Sequence, residues 1–263
     1  MKKFQTMHSR IASFAILSSL FIFSSCRNAD DTTPEDVIAE TKVQITFDTQ
    51  WEGGDFNLQE VYFDNFGNRI RVDSFKSYIS MLSIVKEDGS EVLLHDFYLM
   101  DFLNPNTYTF TIEPGDYDGI RFGIGVPQDY NKDEDPAQYP NDHPLSVAGS
   151  QGMFWHWNTG YIFVKFEGKA DTTGTEGAEL LHSFSFHIGD DPYFRSFEQL
   201  DTPIHVEAGL TTAISVNIHV DQILATGGAD DIDLATDAIT HTSGNTVLAA
   251  TFVNNFDASI TVE

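Results

Sequence analysis

Apolar and polar residues alternate with a period of two along much of this chain, as they do in strands with one buried face. Val43, Ile45 and Phe47 alternate with polar neighbours, and Ile214, Val216, Ile218 and Val220 alternate with Ser215, Asn217, His219 and Asp221. Further strands are predicted over 77–85, 92–100, 107–112, 119–126, 161–166 and 181–187. Turn residues separate several of them: Glu87-Asp88-Gly89-Ser90, Pro114-Gly115-Asp116 and Gly189-Asp190-Asp191-Pro192. Helical periodicity is scarce. Many short strands with few helical patterns predict an all-β fold, an antiparallel β-sandwich with long irregular loops. Those loops are 127–152, rich in Asp, Pro and Asn, then 169–179 and 225–245, the last with room for a short helix. No repeat and no internal boundary breaks 41–263, so one β-sandwich domain is expected there.

The amino end follows a different pattern. Lys2, Lys3 and Arg10 form a basic head, followed by an apolar run from Ile11 to Phe23 that is short for a bilayer span. It ends in Phe23-Ser24-Ser25-Cys26, and Cys26 is the only cysteine of the chain. This resembles the lipobox of a bacterial lipoprotein signal, with Phe23 where an aliphatic residue is usual. On that reading 1–25 are a signal peptide, Cys26 carries acyl chains, and the acidic stretch 26–40 is a flexible tether. Acidic residues after the lipidated cysteine resemble the surface-export signal of Bacteroidota lipoproteins. An outer-membrane lipoprotein is expected, periplasmic or facing the cell surface, with the surface favoured. No thiol would then remain for a disulfide or a thiolate metal site.

Charge narrows the partners. A formal net charge of −26 argues against nucleic acid, whose binding depends on Lys and Arg. It also limits membrane contact to the lipid anchor, and it favours cations and basic partners.

The candidate chemistry is concentrated in Gly152-Met153-Phe154-Trp155-His156-Trp157-Asn158-Thr159-Gly160-Tyr161, which runs into the strand-like Ile162-Phe163-Val164-Lys165-Phe166-Glu167-Gly168. Two of the three tryptophans, a histidine and a methionine fall within five residues. Such side chains can be oxidised or can ligate a soft metal. A plain structural role, with Trp155 and Trp157 as large core anchors, is the competing reading.

Several phrases in order resemble one family. Phe75-Lys76-Ser77-Tyr78-Ile79-Ser80 is followed by Tyr98-Leu99-Met100-Asp101 and by Pro114-Gly115-Asp116-Tyr117-Asp118-Gly119-Ile120-Arg121-Phe122-Gly123-Ile124-Gly125-Val126. His143-Pro144-Leu145, the Trp-rich motif and Phe184-Ser185-Phe186-His187-Ile188-Gly189 come next. Together they resemble the MbnP-like copper-binding proteins, relatives of the methanotroph surface proteins MopE and CorA. The resemblance implies an all-β envelope protein, often paired with a di-haem cytochrome c peroxidase-like partner that oxidises a tryptophan to kynurenine. Carried over residue by residue, it makes Trp155 or Trp157 the candidate for oxidation and His143 and His187 the candidate copper ligands. His156, between the tryptophans, is a further candidate for which the family offers no clear precedent. Kynurenine would present an aniline nitrogen and a ketone oxygen where indole offers only a donor N–H.

A second candidate site is a calcium loop, Asp129, Asn131, Asp133 and Asp135, with oxygens at alternate positions. Glu134 occupies the sixth place, where an EF-hand needs glycine, and Pro140 replaces the terminal glutamate, so an EF-hand is excluded. No Gly-x-Ser-x-Gly, His-Glu-x-x-His or phosphate-binding loop is present, and no enzymatic activity is expected. The alternative to a copper protein is a surface interaction module that binds a protein or glycan, with the tryptophan cluster structural.

Overall fold

A computed structural model of the protein describes residues 39–263 apart from 104, 133–134, 156–159, 176 and 229. The signal, Cys26 and most of the tether lie outside the described residues, as do His156, Trp157, Asp133 and Glu134. In chain order the strands are β1 (Lys42–Trp51), β2 (Gly54–Asp55), β3 (Tyr62–Phe63), β4 (Arg69–Lys86), β5 (Glu91–Asp101), β6 (Asn106–Thr111) and β7 (Gly115–Ile124). A short helix α1 (Gln128–Asn131) precedes β8 (Ile162–Asp171), β9 (His182–Gly189), β10 (Arg195–Gln199), β11 (Ile204–Val206) and β12 (Thr211–His219). Helix α2 (Val220–Leu224), β13 (Ile239–Thr240), α3 (Thr246–Ala258) and β14 (Ile260–Val262) complete the order.

The strands form two sheets, and the fold is all-β and sandwich-like. The smaller has the order β14-β12-β1-β2, with β6 also on β1; the larger runs β10-β7-β4-β8-β9-β13, with β11 on β7 and β3 and β5 on β4. Most pairings are antiparallel, as expected. Two are not: β1 with β12 and β13 with β9 are parallel. Parallel neighbours need a crossover rather than a hairpin, and here the intervening chain builds other strands, which alternation alone does not reveal.

The alternation places the core. Val43, Ile45 and Phe47 of β1 and Ile214, Val216 and Ile218 of β12 are buried, and the Phe47 ring meets Phe122 of β7 edge-on at 5.5 Å. Helix α3 covers the β8–β9 part of the larger sheet. Its Phe252 lies 4.8 Å from Phe186 and 5.6 Å from Phe166, and its Phe256 lies 5.5 Å from Phe75. The expected short helix was placed within 225–245; helices instead precede and follow that stretch. In α3, Leu248, Ala249, Phe252, Val253 and Phe256 are buried, a single apolar stripe at helical spacing. Asn245 caps it by accepting from Leu248 N–H at 3.1 Å.

Strand β4 organises the site. Its Lys76 pairs with Asp101 of β5 on one side and Lys165 of β8 on the other, whereas Ile79 pairs with Tyr98 of β5 and Ile124 of β7. Strands β7 and β8 therefore share one edge of β4, end to end. A register shift between Ser80 and Ser83, with Met81 at φ 50°, bends the strand there. The segment joining β7 to β8, which carries His143 and Trp155, leaves and re-enters the sheet at that junction.

Candidate metal centre

Asn131 anchors the re-entry. Its side-chain oxygen accepts from Tyr161 N–H at 2.9 Å and its amide donates to Asp191 at 2.7 Å. The Tyr161 hydroxyl donates to Leu145 O, and Tyr78 donates to Pro144 O at 3.0 Å. Trp155 N–H then donates to Gly160 O at 2.9 Å and Ile162 N–H to Met153 O at 2.8 Å. These bonds turn the chain so that the Trp155 indole, 6% exposed, lies on Gly189 of β9. A Cβ at Gly189 would stand 2.6 Å from the indole and 2.4 Å from Tyr161 O. Only glycine allows that approach.

His187 is the neighbouring residue on the same face of β9. Phe184, Phe186 and Ile188 point inward and are buried, whereas Ser185 and His187 face out and are partly exposed. Across the β8–β9 ladder the outward residues are Lys165 and Glu167. His187 Nε2 lies 2.6 Å from Glu167 Oε1 and 3.3 Å from Ser185 Oγ. Lys165 holds the other Glu167 oxygen at 3.0 Å. Burial lowers the basicity of His187 and outweighs the opposing pull of Glu167. Burial pushes Glu167 up, but the hydrogen bonds from His187 and Lys165 prevail and leave it below its ordinary value. The pair thus favours a neutral imidazole whose Nε2–H points at a carboxylate. Metal-ligating histidines are commonly oriented in that way.

A second imidazole stands beside it. The His241 ring lies 4.7 Å from that of His187 and is exposed. The adjoining Thr242 accepts from Gly189 N–H and donates to His187 O, both at 3.0 Å.

His143 belongs to different surroundings. Its ring stacks on Tyr139 at 4.4 Å and meets Phe97 of β5 at 6.0 Å, while its Nδ1 accepts from Leu145 N–H at 3.1 Å. It lines a surface hollow of about 320 Å³ with His95, Asp96 and Asp142. Three strand spacings, roughly 14 Å, separate β5 from β9. The expected convergence of His143 with His187 is therefore not what the fold produces. The reason is the β7–β8 junction: it sends the early part of the connecting segment toward β5 and only its end toward β9.

Of the four calcium-loop candidates, three lie among the described residues. Asn131 is 1% exposed with its side chain spent on Tyr161 and Asp191, Asp129 is exposed, and Asp135 caps the turn at Pro136–Gln138 by accepting from Ala137 N–H at 2.9 Å. The side chains of Asn131 and Asp135 are thus engaged in hydrogen bonds of the fold. Asp133 lies outside the described residues.

Residue type and strand parity could have drawn attention to Glu167, two residues from Lys165 within the Trp-rich motif's own strand. No comparable signal marks His241 or Thr242. Their position depends on β13 pairing with β9 across a long intervening stretch.

With this geometry established, comparison with known proteins places the chain. The model of the MbnP family matches residues 40–245. The chain belongs to the MbnP family. Among solved structures it is similar to MbnP from Methylosinus trichosporium, with 15% identity, 86% of this chain and 99% of that chain covered, and a TM-score of 0.50. At that identity the likeness is one of fold. No curated protein matches the chain. Membership of the MbnP family carries a link to copper at the level of the family.

The residues present fit such an ion in type. Imidazole suits both copper oxidation states, and the His187–Glu167 pair presents a neutral imidazole. Among the described residues no three His, Cys, Asp or Glu side chains already converge as a cage.

Proposed function

We propose that this MbnP-family protein is a non-catalytic, cell-envelope lipoprotein that binds copper on the outer face of β8 and β9. One observation carries the reading: the Trp155 indole rests on Gly189, the next outward position on β9 after His187. Outward neighbours on a strand lie about 7 Å apart along the chain. An oxidised Trp155 would therefore lie one strand step from an imidazole oriented by Glu167, with the Cζ3–Cη2 edge of its ring against Gly189. Copper, when bound, would supply an ion that nitrogen donors such as imidazole hold in both of its oxidation states. His187 binds it, Glu167 orients His187, and Gly189 seats the tryptophan.

The rest of the reading rests on the lipobox-like amino end and on the family resemblance. Cys26 anchors the chain in the outer membrane, facing the periplasm or the cell surface. By the family resemblance, a di-haem peroxidase-like partner with peroxide or dioxygen as the oxidant would cleave the indole C2–C3 bond of Trp155, or Trp157, releasing C2 as formate and leaving kynurenine. The acidic surface suits a partner with a basic docking face.

Two measurements test this. Copper titration of the purified protein is expected to give one tight site that His187→Ala weakens at least tenfold; unchanged affinity in that variant removes His187 as a ligand. Peptide mass spectrometry after co-expression with the partner is expected to find a modified tryptophan within 153–161. Recovery of only unmodified Trp155 and Trp157 would rule out the oxidative step.

A further inference from the structure

We propose that His241 is the second imidazole of the metal site, closing on the same ion as His187, with Glu167 as a positioning residue; this rests on the copper reading above. Strand β13 pairs in parallel with β9, Ile239 opposite Ser185 and Thr240 opposite Phe186. Continuing that register brings His241 opposite His187. Thr240 is 1% exposed and Ile239 60%, so Ile239 and His241 share the outward face of Ser185 and His187.

The backbone is held there at some cost. Thr242 adopts φ 60°, a left-handed conformation that a β-branched residue rarely takes. Its hydroxyl spans Gly189 N–H and His187 O, which ties the strained residue to the two β9 positions that form the site. Strain of this kind persists only where the surroundings over-determine it, and such positions cluster at functional sites.

The chemistry agrees with the geometry. Two nitrogens on one ion stand at most about 4 Å apart, twice a metal–imidazole bond. Rings 4.7 Å apart meet that limit once their nitrogen edges turn toward each other, and the exposed His241 is able to turn. Glu167 and Ser185 both lie at Nε2 of His187, which leaves Nδ1 as its donor. The alternative pair, His95 and His143, is less suited, because Nδ1 of His143 is already taken by Leu145 N–H.

The test is competition for Cu(I) against a chromophoric chelator, together with electron paramagnetic resonance of the Cu(II) form, on purified wild-type protein and on His241→Ala, His187→Ala, Glu167→Gln and His143→Ala. His241→Ala and His187→Ala are each expected to weaken binding at least tenfold and to remove one nitrogen from the Cu(II) spectrum. Glu167→Gln is expected to weaken binding about tenfold, with the nitrogen count kept and the signal shifted. His143→Ala should match wild type. The exposed position of His241 means its variant should keep the wild-type unfolding midpoint, so a lost site cannot be ascribed to a lost fold. Wild-type affinity and nitrogen count in His241→Ala, with His187→Ala impaired, would overturn this inference and leave the copper reading standing. Absence of copper binding in the wild type would overturn both.

Discussion

His143 and His187 sit in regions that look alike by residue type and differ in what their surroundings ask of them. Burial lowers the basicity of both rings. Around His143 the ring is used by the protein itself: Nδ1 accepts a backbone N–H two residues on, and a tyrosine covers one face. Around His187 a carboxylate lies at Nε2, a second imidazole stands alongside, and an indole rests on the next residue of the same strand face. The two half-buried imidazoles therefore differ in what the protein has already committed: the ring nitrogen of His143 to a backbone N–H, that of His187 to a carboxylate. What distinguishes a metal-ready imidazole is an oriented second nitrogen and neighbours able to share the ion.

The largest effect should come from breaking the indole's seat. Gly189→Ala places a Cβ against both Tyr161 O and the Trp155 ring, and the carbonyl belongs to a residue held by Asn131 and Leu145. Overpacking of this kind costs about 1–3 kcal/mol. Denaturant unfolding should show that loss, and copper affinity should fall with it while the surroundings of His143 stay as they are. Wild-type stability in Gly189→Ala would mean that Trp155 does not pack there.

Next is Asn131→Ala, which affects the hinge between the two regions. It leaves the buried Tyr161 N–H without its acceptor, a cost of about 1–3 kcal/mol, and leaves Asp191 with Lys132 as its remaining partner. Because Asn131 is a structural anchor, added calcium should raise the unfolding midpoint of neither wild type nor variant. A calcium-dependent rise that only the wild type shows would return Asn131 to the role of cation ligand.

The two regions were also unequally legible in the sequence. Alternation located the strands around the site, β8 and β9 included, because each has one face on an aromatic core. It placed His187 correctly on a half-buried strand. Helix α3 passed unnoticed because its apolar stripe lies in a stretch whose neighbours are Gly, Asp and Thr. His241 was invisible for a stronger reason: its meeting with His187 depends on a parallel pairing between segments more than fifty residues apart, and no local pattern encodes that register. The pairing of His143 with His187 rests on the family resemblance, which is read from phrases in order along the chain. Order along the chain does not say to which side of β4 a connecting segment turns.

The smallest effect is a pH dependence, and it concerns the surroundings of His143. Burial lowers the His143 value below 6.5, against the opposing pull of Asp142 and Asp96. Above pH 6.5 the ring is neutral in folded and unfolded chains alike and adds no slope. As the pH falls through 6.5 the unfolded chain takes up the proton first, so stability declines until the folded value is passed. His187 shifts in the same direction, and His205, raised by its hydrogen bond to Asp116, shifts in the opposite one. Comparing wild type with His143→Ala cancels both. Urea unfolding at several pH values between about 7.5 and 5 should show a shallower acid decline in His143→Ala, with copper affinity at neutral pH unchanged. An identical slope in the two proteins would mean that the ring is not desolvated by Tyr139 and Phe97. A loss of copper affinity would bring His143 back to the metal and erase the contrast between the two regions.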